Sequence, residues 1–123
     1  MIQPQTLVKI CDNAGGKIGR VFKVIGSSKK RTAEIGEVVV LSVQVAEPRK
    51  DVKKKDVKHA VVVRQRKAKR RADGSYIRFD ENAVVLIDKE TGLPLGNRVF
   101  GPVPRELNDA GHGQIASLAN EVV

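Results

Sequence analysis

The chain has 123 residues, of which 41% are hydrophobic and 30% charged, with a formal net charge of +9 at neutral pH. This length and composition fit one globular domain with its own core, and the charge points to a polyanion as partner, either nucleic acid or an acidic membrane surface. No apolar run approaches the roughly 18 residues of a membrane span, and the first residues show no signal-peptide pattern, so we expect no insertion into a membrane.

Strand patterns dominate the first two thirds of the chain. Alternating or continuous apolar runs predict five strands, at residues 6–10, 18–25, 37–45, 59–63 and 82–87. Turn-forming residues such as those at 12–16 separate the runs, and no long segment has a helical period. This pattern predicts a mainly β fold, a small antiparallel barrel or a sandwich, over any α/β arrangement.

The last part of the chain has a different pattern. Pro104 suits the first turn of a helix that continues through Leu107, and Gly111 and Gly113 then interrupt it. Residues 115–119 add a final helical turn. The prediction is a single domain over residues 1–123, with a β-barrel and its basic loops at 1–100 and a short helical tail at 101–123.

The positive charge is unevenly distributed. Residues 1–79 contain 20 Lys and Arg against 7 Asp and Glu, a net +13, whereas residues 80–123 contain 3 against 7, a net −4. Most of the cations fall in three predicted connections, at residues 29–31, 48–58 and 64–80. Three cationic connections on one small domain favour binding of a polyanion over a merely solvated surface.

Residues 64–80, here called the basic arm, form the most highly charged connection. With Asp73 and Gly74 as a two-residue hairpin turn, Lys69 lies opposite Arg78, and Arg71 lies opposite Tyr76. Like charges on opposite strands are unfavourable unless an anion from elsewhere neutralises them. The arm is therefore predicted to project into a ligand, with cations on both of its faces.

The scarcity of aromatic residues indicates which polyanion is bound. Proteins that read single strands stack bases on exposed rings, and this chain has three Phe, one Tyr and no Trp. No helix suited to the major groove of DNA is predicted. Lysines and arginines without rings suit the phosphates and helix shape of folded, largely double-stranded RNA, which is the ligand that we predict.

No catalytic site is predicted. The glycines at 15–16 lack the spacing of a nucleotide-binding loop and suit a tight turn, while His59 and His112 have no partner at metal-ligand spacing. Cys11, the single cysteine, excludes an intrachain disulfide and a thiolate metal site, fits a small buried apolar position and favours a reduced, cytoplasmic setting. We expect no cofactor and no metal. The alternatives are a freestanding RNA- or DNA-binding regulator and a small enzyme or nucleotide-binding domain built around Gly15 and Gly16.

One spaced signature relates the chain to a known family. Ala60–Val63, Asp73-Gly74, Phe79, Asn82 and Val85-Leu86 resemble, at these spacings, the signature of ribosomal protein fourteen of the large subunit, bacterial type. The resemblance extends over essentially the full length. It includes matches at 1–3, 6, 12–15, 53–57, 77–80, 100–103, 105–107, 115–118 and 121–122.

The resemblance implies a five-stranded β-barrel with a small C-terminal helical part and a structural, non-enzymatic role in the large ribosomal subunit. It also implies binding to large-subunit ribosomal RNA and a bridge to small-subunit RNA across the subunit interface. Ribosomal proteins nineteen and three are implied as neighbours, and a ribosome-silencing factor as a ligand of the exposed face. The implied location is the cytoplasmic ribosome, with an organellar ribosome also open.

Individual residues inherit roles from this resemblance. The residues implied in binding large-subunit RNA are Lys29, Lys30, Arg31, Arg49, Lys53, Lys54, Lys55, Arg64, Arg66, Lys67, Lys69, Arg70, Arg71 and Arg78. The residues implied in the intersubunit or partner face are Asn97, Arg98, Gly101, Pro102 and Arg105, within a segment that extends over 101–105. At 108–114 the chain departs from the family, which usually has basic or aromatic residues where this sequence is glycine-rich and barely charged.

Overall fold

The computed structural model describes residues 2–26, 30–50 and 52–123, and short strands make up most of its regular structure. The elements in chain order are β1 (Leu7–Ile10), β2 (Gly16–Val24), β3 (Val38–Ala46), β4 (Val57–Arg64), β5 (Lys69–Arg70), β6 (Tyr76–Ile77), β7 (Ala83–Ile87), β8 (Val99–Val103), α1 (Glu106–Asp109), α2 (Gly113–Leu118) and β9 (Ala119–Val122).

Five of these strands close into a barrel in the order β1-β2-β3-β4-β7, which confirms the mainly β fold and the five-stranded barrel. The prediction of a strictly antiparallel barrel was wrong for one pair. β1 and β7 run parallel, with Lys9 opposite Ala83 and Ile10 opposite Val84. The reason is topological, because strand direction cannot alternate all the way around a closed ring with an odd number of strands.

The barrel interior is filled by aliphatic side chains of modest size. Small β-branched residues suit a five-stranded barrel because its lumen is narrow and each strand contributes every second residue to it. The buried residues that the strands contribute to this core are Val8, Ile10, Val21, Val24, Val39, Leu41, Val43, Ala60, Val62, Val84 and Leu86.

A second core lies outside the barrel, between its wall and the C-terminal segment. Val61, Val63 and Val85 point away from the lumen, and Val103 and Leu107 cover them. Both faces of β4 and β7 are therefore buried. This explains why these strands have continuous valine runs instead of an apolar-polar alternation.

The C-terminal segment contains more strand than the sequence predicts. α1 ends before Gly111, as expected. Gly113, which was expected only to break the helical pattern, is the first residue of α2. β8 and β9 then pair in parallel as a two-stranded sheet that the sequence did not predict. β8 was hard to predict because it contains Gly101, at φ +82°, and Pro102, two residues that are unfavourable within a strand. β9 was hard to predict because its half-polar sequence resembles that of a loop.

Strand directions assign the connections to the two ends of the barrel. β1, β3 and β7 run one way and β2 and β4 the other. The β3–β4 loop consequently lies at the same end as the β1–β2 turn, and the amide of Val52 donates to the carbonyl of Ala14 there at 3.3 Å. The basic arm and the β2–β3 loop lie at the opposite end, where Lys69 contacts Glu34. The cationic connections thus occupy both ends of the barrel.

Candidate nucleic-acid interface

The hairpin turn of the basic arm has three residues, and the predicted two-residue turn was wrong. Lys69 lies opposite Ile77 and Arg70 opposite Tyr76, one position away from the expected register. The amide of Arg71 donates to the carbonyl of Ser75 at 2.8 Å, which leaves residues 72–74 as the loop. The predicted opposition of Lys69 and Arg78 therefore does not occur.

Asp73 and Gly74 explain the longer turn. The Asp73 carboxylate accepts hydrogen bonds from the amide of Ser75 at 3.0 Å and from its hydroxyl at 2.6 Å. These bonds hold the pKa of the Asp73 carboxyl below its ordinary value. Gly74 follows at φ +89°, the left-handed conformation that closes a three-residue hairpin after a tight turn.

The inward face of the arm is neutralised within the chain. The Arg71 Nε lies 2.7 Å from the Glu106 Oε1, and an Arg71 terminal nitrogen donates to the backbone oxygen of Val123 at 2.7 Å. The Lys69 Nζ lies 3.2 Å from the Glu34 carboxylate. The expectation that both faces of the arm stand away from the fold is thus wrong for this face, which fastens the arm to α1 and to the β2–β3 loop.

Arg64 lies at the base of the arm and has a different environment from the cations that follow it. Its side chain is 7% exposed and lies 3.3 Å from the Glu81 carboxylate. A Cβ on Gly101 would overlap the Arg64 guanidinium, so glycine at 101 lets β8 pass over it. Arg64 therefore stabilises the packing of β8 on the barrel, and its side chain is far less exposed than those of the outward cations that follow it.

The outward cations of the arm are Arg66, Arg70 and Arg78, and all three are exposed. The base of the arm is fixed by backbone contacts. The amide of Arg66 donates to the Asn82 side chain at 3.0 Å, and the amide of Phe79 donates to the carbonyl of Gln65 at 2.9 Å. Lys67 is also exposed. Exposed cationic side chains on a hydrogen-bonded base form a geometry suited to phosphate contacts.

The β2–β3 loop adds cations at the same end of the barrel. Lys29 lies outside the described residues. Lys30 is half-buried and forms an ion pair with Glu37, whereas Arg31 is exposed. At this end the exposed guanidinium of Arg31 therefore extends the positive surface of the arm.

The other end of the barrel has its own group of exposed cations, which includes the predicted residues Arg49, Lys53, Lys54 and Lys55. Arg49 and Lys55 adopt left-handed backbone conformations, with φ +66° and +74°. The amide of Lys53 donates to the Asp56 carboxylate at 2.9 Å, which closes the turn and directs the lysines outward.

The residues predicted for the partner face fall into two groups. Asn97 joins the β1–β2 turn by donating its amide to the Asn13 side chain at 3.0 Å, and it lines a cleft of about 350 Å³ with Arg49 and Lys50. Arg98 stacks over Phe100 at 5.6 Å from the ring centre. Arg105 instead lies beside the arm, 3.7 Å from Asp73. Gly101 and Pro102 are half-buried in β8.

The polar groups nearest the second core have structural roles. Burial raises the pKa of the Cys11 thiol from 9.0 to about 11, and its Sγ donates to the carbonyl of Val84. Burial also raises the pKa of Asp12, whose carboxylate accepts the amides of Ala14 and Leu86 at 3.3 and 3.1 Å. Among the described residues no cluster of three or more His, Cys, Asp or Glu could hold a metal ion. Within the same ranges no helix is long and apolar enough to cross a membrane.

Cys11 should be nearly inert towards alkylation while the chain is folded. Raising its pKa to about 11 lowers the thiolate fraction at pH 8 by about 100-fold relative to an ordinary thiol, and burial slows the reaction further. Iodoacetamide labelling followed by mass spectrometry is expected to modify Cys11 only after denaturation. Rapid labelling of the folded chain at pH 8 would contradict the buried environment.

The fold and these surfaces together define a small basic β-barrel protein whose cations lie on its connections, with a C-terminal segment packed on the barrel wall. A family model described as ribosomal protein L14p/L23e matches residues 1–123. The large ribosomal subunit protein uL14 of Petrotoga mobilis (strain DSM 10674 / SJ95) is 52% identical over 122 residues, which cover 99% of each chain.

The chain therefore belongs to the ribosomal protein L14p/L23e family, as the resemblance in the sequence predicted. It is a structural constituent of the large ribosomal subunit, not an enzyme, and it is located in the ribosome in association with ribosomal RNA. Membership of this family argues against both alternative functions considered from the sequence, a freestanding regulator and a nucleotide-binding domain around Gly15.

Proposed function

We propose that the chain binds large-subunit ribosomal RNA through the outward face of the basic arm, formed by Arg66, Arg70 and Arg78 with Lys67, and through Arg31. One observation supports this most strongly. The inward cations Lys69 and Arg71 have carboxylate partners in the chain, while the outward arginines are held in solvent on a fixed hairpin. Like charges held side by side at a surface are stabilised when phosphates neutralise them.

The cations at the other end of the barrel extend this proposal to a second RNA contact. Arg49 and Lys53 to Lys55 are exposed on a loop whose turn is closed by Asp56. Because this loop and the arm lie at opposite ends of the barrel, they are expected to contact separate segments of large-subunit RNA. The barrel then acts as a rigid spacer between two phosphate-binding surfaces.

A bridge to small-subunit RNA is the second proposed role. Asn97 and Arg98 are exposed, and Arg98 lies over the exposed ring of Phe100. These side chains can contact phosphate and sugar without being buried in the fold. Arg105 is also exposed, but Asp73 already lies beside it, so we expect it to contribute less.

The remaining proposed partners depend on family resemblance. Ribosomal proteins nineteen and three are proposed neighbours, a ribosome-silencing factor is a proposed ligand of the exposed face, and the cytoplasm is the proposed setting. The two-stranded β8–β9 sheet and the short helices α1 and α2 form a surface that contains fewer basic residues than the arm and is therefore better suited to a protein partner. We also propose one domain over residues 1–123, since the second core joins the barrel to the tail.

Directed hydroxyl-radical cleavage tests these assignments in intact particles. Ala68, exposed on the arm, and Asn97 are each replaced by cysteine, labelled with an iron chelate and incorporated into large subunits. Cys11 is buried, so the wild-type chain treated identically is a matched control. The Ala68→Cys particle is expected to cut large-subunit RNA before subunits join. The Asn97→Cys particle is expected to cut small-subunit RNA only after they join.

The two roles can fail separately in this experiment. Cleavage from Ala68→Cys no stronger than that of the wild-type control would contradict RNA docking by the arm. Absence of small-subunit cleavage from Asn97→Cys in joined ribosomes would contradict the bridge while leaving the arm unaffected.

A further inference from the structure

Arg71 connects the turn of the basic arm to both ends of the last twenty residues of the chain. Its amide donates to the carbonyl of Ser75 at 2.8 Å and its carbonyl accepts the amide of Gly74 at 3.0 Å, so its backbone closes the turn. Its guanidinium pairs with the Glu106 carboxylate at the start of α1 and donates to the backbone oxygen of Val123, after β9, at 2.7 Å. We call these three residues, Arg71, Glu106 and Val123, the clasp. The conformation of the turn therefore determines where the clasp forms.

The ion pair of the clasp is directional and largely shielded from solvent. The Arg71 Nε lies 2.7 Å from the Glu106 Oε1, and a terminal nitrogen of Arg71 donates to the Glu106 Oε2 at 3.3 Å. The two side chains are 12% and 22% exposed. A planar guanidinium that meets both oxygens of a carboxylate favours one relative orientation. A change in the turn is therefore expected to open the clasp.

The arm and the C-terminal helices are too short to be stable by themselves. β5 and β6 have two residues each, α1 has four and α2 has six. Two-stranded hairpins and helices of this length are marginal in water. Each element is therefore ordered by contacts with the rest of the fold, and the clasp is a contact that the arm and α1 share.

The outward cations of the arm oppose this order when no anion is present. Arg66, Arg70 and Arg78 are exposed and have the same sign of charge, so their repulsion favours loosening of the arm. Phosphates on the outward face remove that repulsion. Because the clasp forms only on the ordered arm, any ligand that orders the arm also favours the clasp.

We propose that the clasp couples RNA binding by the arm to the ordering of residues 106–123. This inference rests on the proposed function, in which the arm docks on RNA and the C-terminal segment offers a surface to proteins. Coupling between two sites is reciprocal, so a protein that orders the C-terminal segment also strengthens RNA binding by the arm. The chain docked on RNA is then a better ligand for such a protein than the free chain is.

Neutralising Glu106 tests the coupling, because the clasp and general electrostatics predict opposite signs. Glu106→Gln removes a negative charge, which by itself should tighten binding to purified large-subunit ribosomal RNA. Loss of the clasp is instead expected to weaken that binding about fivefold at physiological salt. Asp109→Asn makes the same change of charge at an exposed position of the same helix, and it is expected not to weaken binding. Equal affinities of the two variants would overturn the coupling.

Amide hydrogen exchange of the same complexes is the second measurement. In the wild type, RNA is expected to slow exchange at residues 107–122 about tenfold, and in Glu106→Gln by less than about twofold. Slowing that persists in Glu106→Gln would mean that RNA covers these residues directly, and no slowing in the wild type would mean that the arm does not order them. Either result overturns the coupling.

The arm itself reports on the proposed function in this experiment. Residues 66–78 should be protected by RNA in the wild type and in both variants, because the outward arginines are unchanged. A wild-type arm that RNA leaves unprotected would contradict RNA docking by the arm, whereas a protected arm without slowing at 107–122 would contradict the coupling alone.

Discussion

Reversing Arg66, Arg70 and Arg78 to glutamate is expected to weaken binding to large-subunit RNA by at least about 100-fold at physiological salt. These guanidinium groups are exposed on the outward face of the arm, and each charge-assisted contact with phosphate contributes about 1.5 to 3 kcal/mol. Losing three contacts should also flatten the dependence of log affinity on log salt by about 0.7 to 0.9 for each phosphate lost. A salt titration of the isolated protein with its RNA measures both quantities.

A control with the same change in net charge separates contact from general electrostatics. Lys17 and Lys58 lie at the beginning of β2 and β4 and Lys89 follows β7, at the end of the barrel opposite the arm. Reversing all three to glutamate is expected to weaken binding by less than about tenfold. Equal losses for both triple variants would mean that total charge, and not the outward face of the arm, determines affinity. Both proteins should keep the wild-type free energy of unfolding, since none of these six residues belongs to either buried core.

Changing Arg71 to glutamate is expected to lower the free energy of unfolding by about 3 kcal/mol, because removing one partner leaves a largely buried charge uncompensated. Arg71 is 12% exposed and its partner Glu106 is 22% exposed, so solvent screens the contact only partly. The arm and the C-terminal segment should then separate. Denaturant unfolding measures the loss, and amide hydrogen exchange should show faster exchange at residues 106–122.

Exchanging the two charges provides the control for this contact. The double variant Arg71→Glu with Glu106→Arg restores an ion pair, and it is expected to recover at least about half of the lost stability. If the double variant is as unstable as the sum of the two single variants, the Arg71–Glu106 contact does not couple the arm to α1.

The two experiments divide the cations of the arm in a way that sequence alone could not. Arg64, Arg66, Arg70 and Arg71 all belong to one run of like charge, and their spacing gives no reason to treat them differently. β8 passes over Arg64 at Gly101, and Arg71 pairs with Glu106, which lies 35 positions away in the sequence. Which cations remain for RNA thus depends on contacts that are distant in sequence.

The strands of the barrel were predictable because burial leaves a pattern in the sequence. A strand buried on one face alternates apolar and polar residues, and a strand buried on both faces is continuously apolar. Val38–Ala46 alternates over much of its length, and Val57–Arg64 and Ala83–Ile87 contain continuous valine runs. The turn of the arm was less predictable, since Asp-Gly suits both two-residue and three-residue hairpin loops. The contacts that accompany the longer loop, from Arg71 to Glu106 and from Arg105 to Asp73, involve residues beyond the arm.

The C-terminal segment was the least predictable part. Gly101 and Pro102 interrupt the strand pattern of Val99–Val103, yet Gly101 is needed there because the Arg64 guanidinium lies beneath it. Ala119–Val122 has no strand pattern of its own and is ordered by pairing with that strand. Tertiary contacts outweigh local preference at both strands.

Occupancy of the large subunit tests the central claim most directly. Wild-type chain and the variant with Arg66, Arg70 and Arg78 reversed to glutamate compete for incorporation at physiological salt, and mass spectrometry of purified subunits gives their ratio. If the outward face of the arm neutralises RNA phosphates, the wild type should exceed the variant by at least about tenfold. Equal occupancy of the two chains would contradict the claim that this face docks the protein on ribosomal RNA.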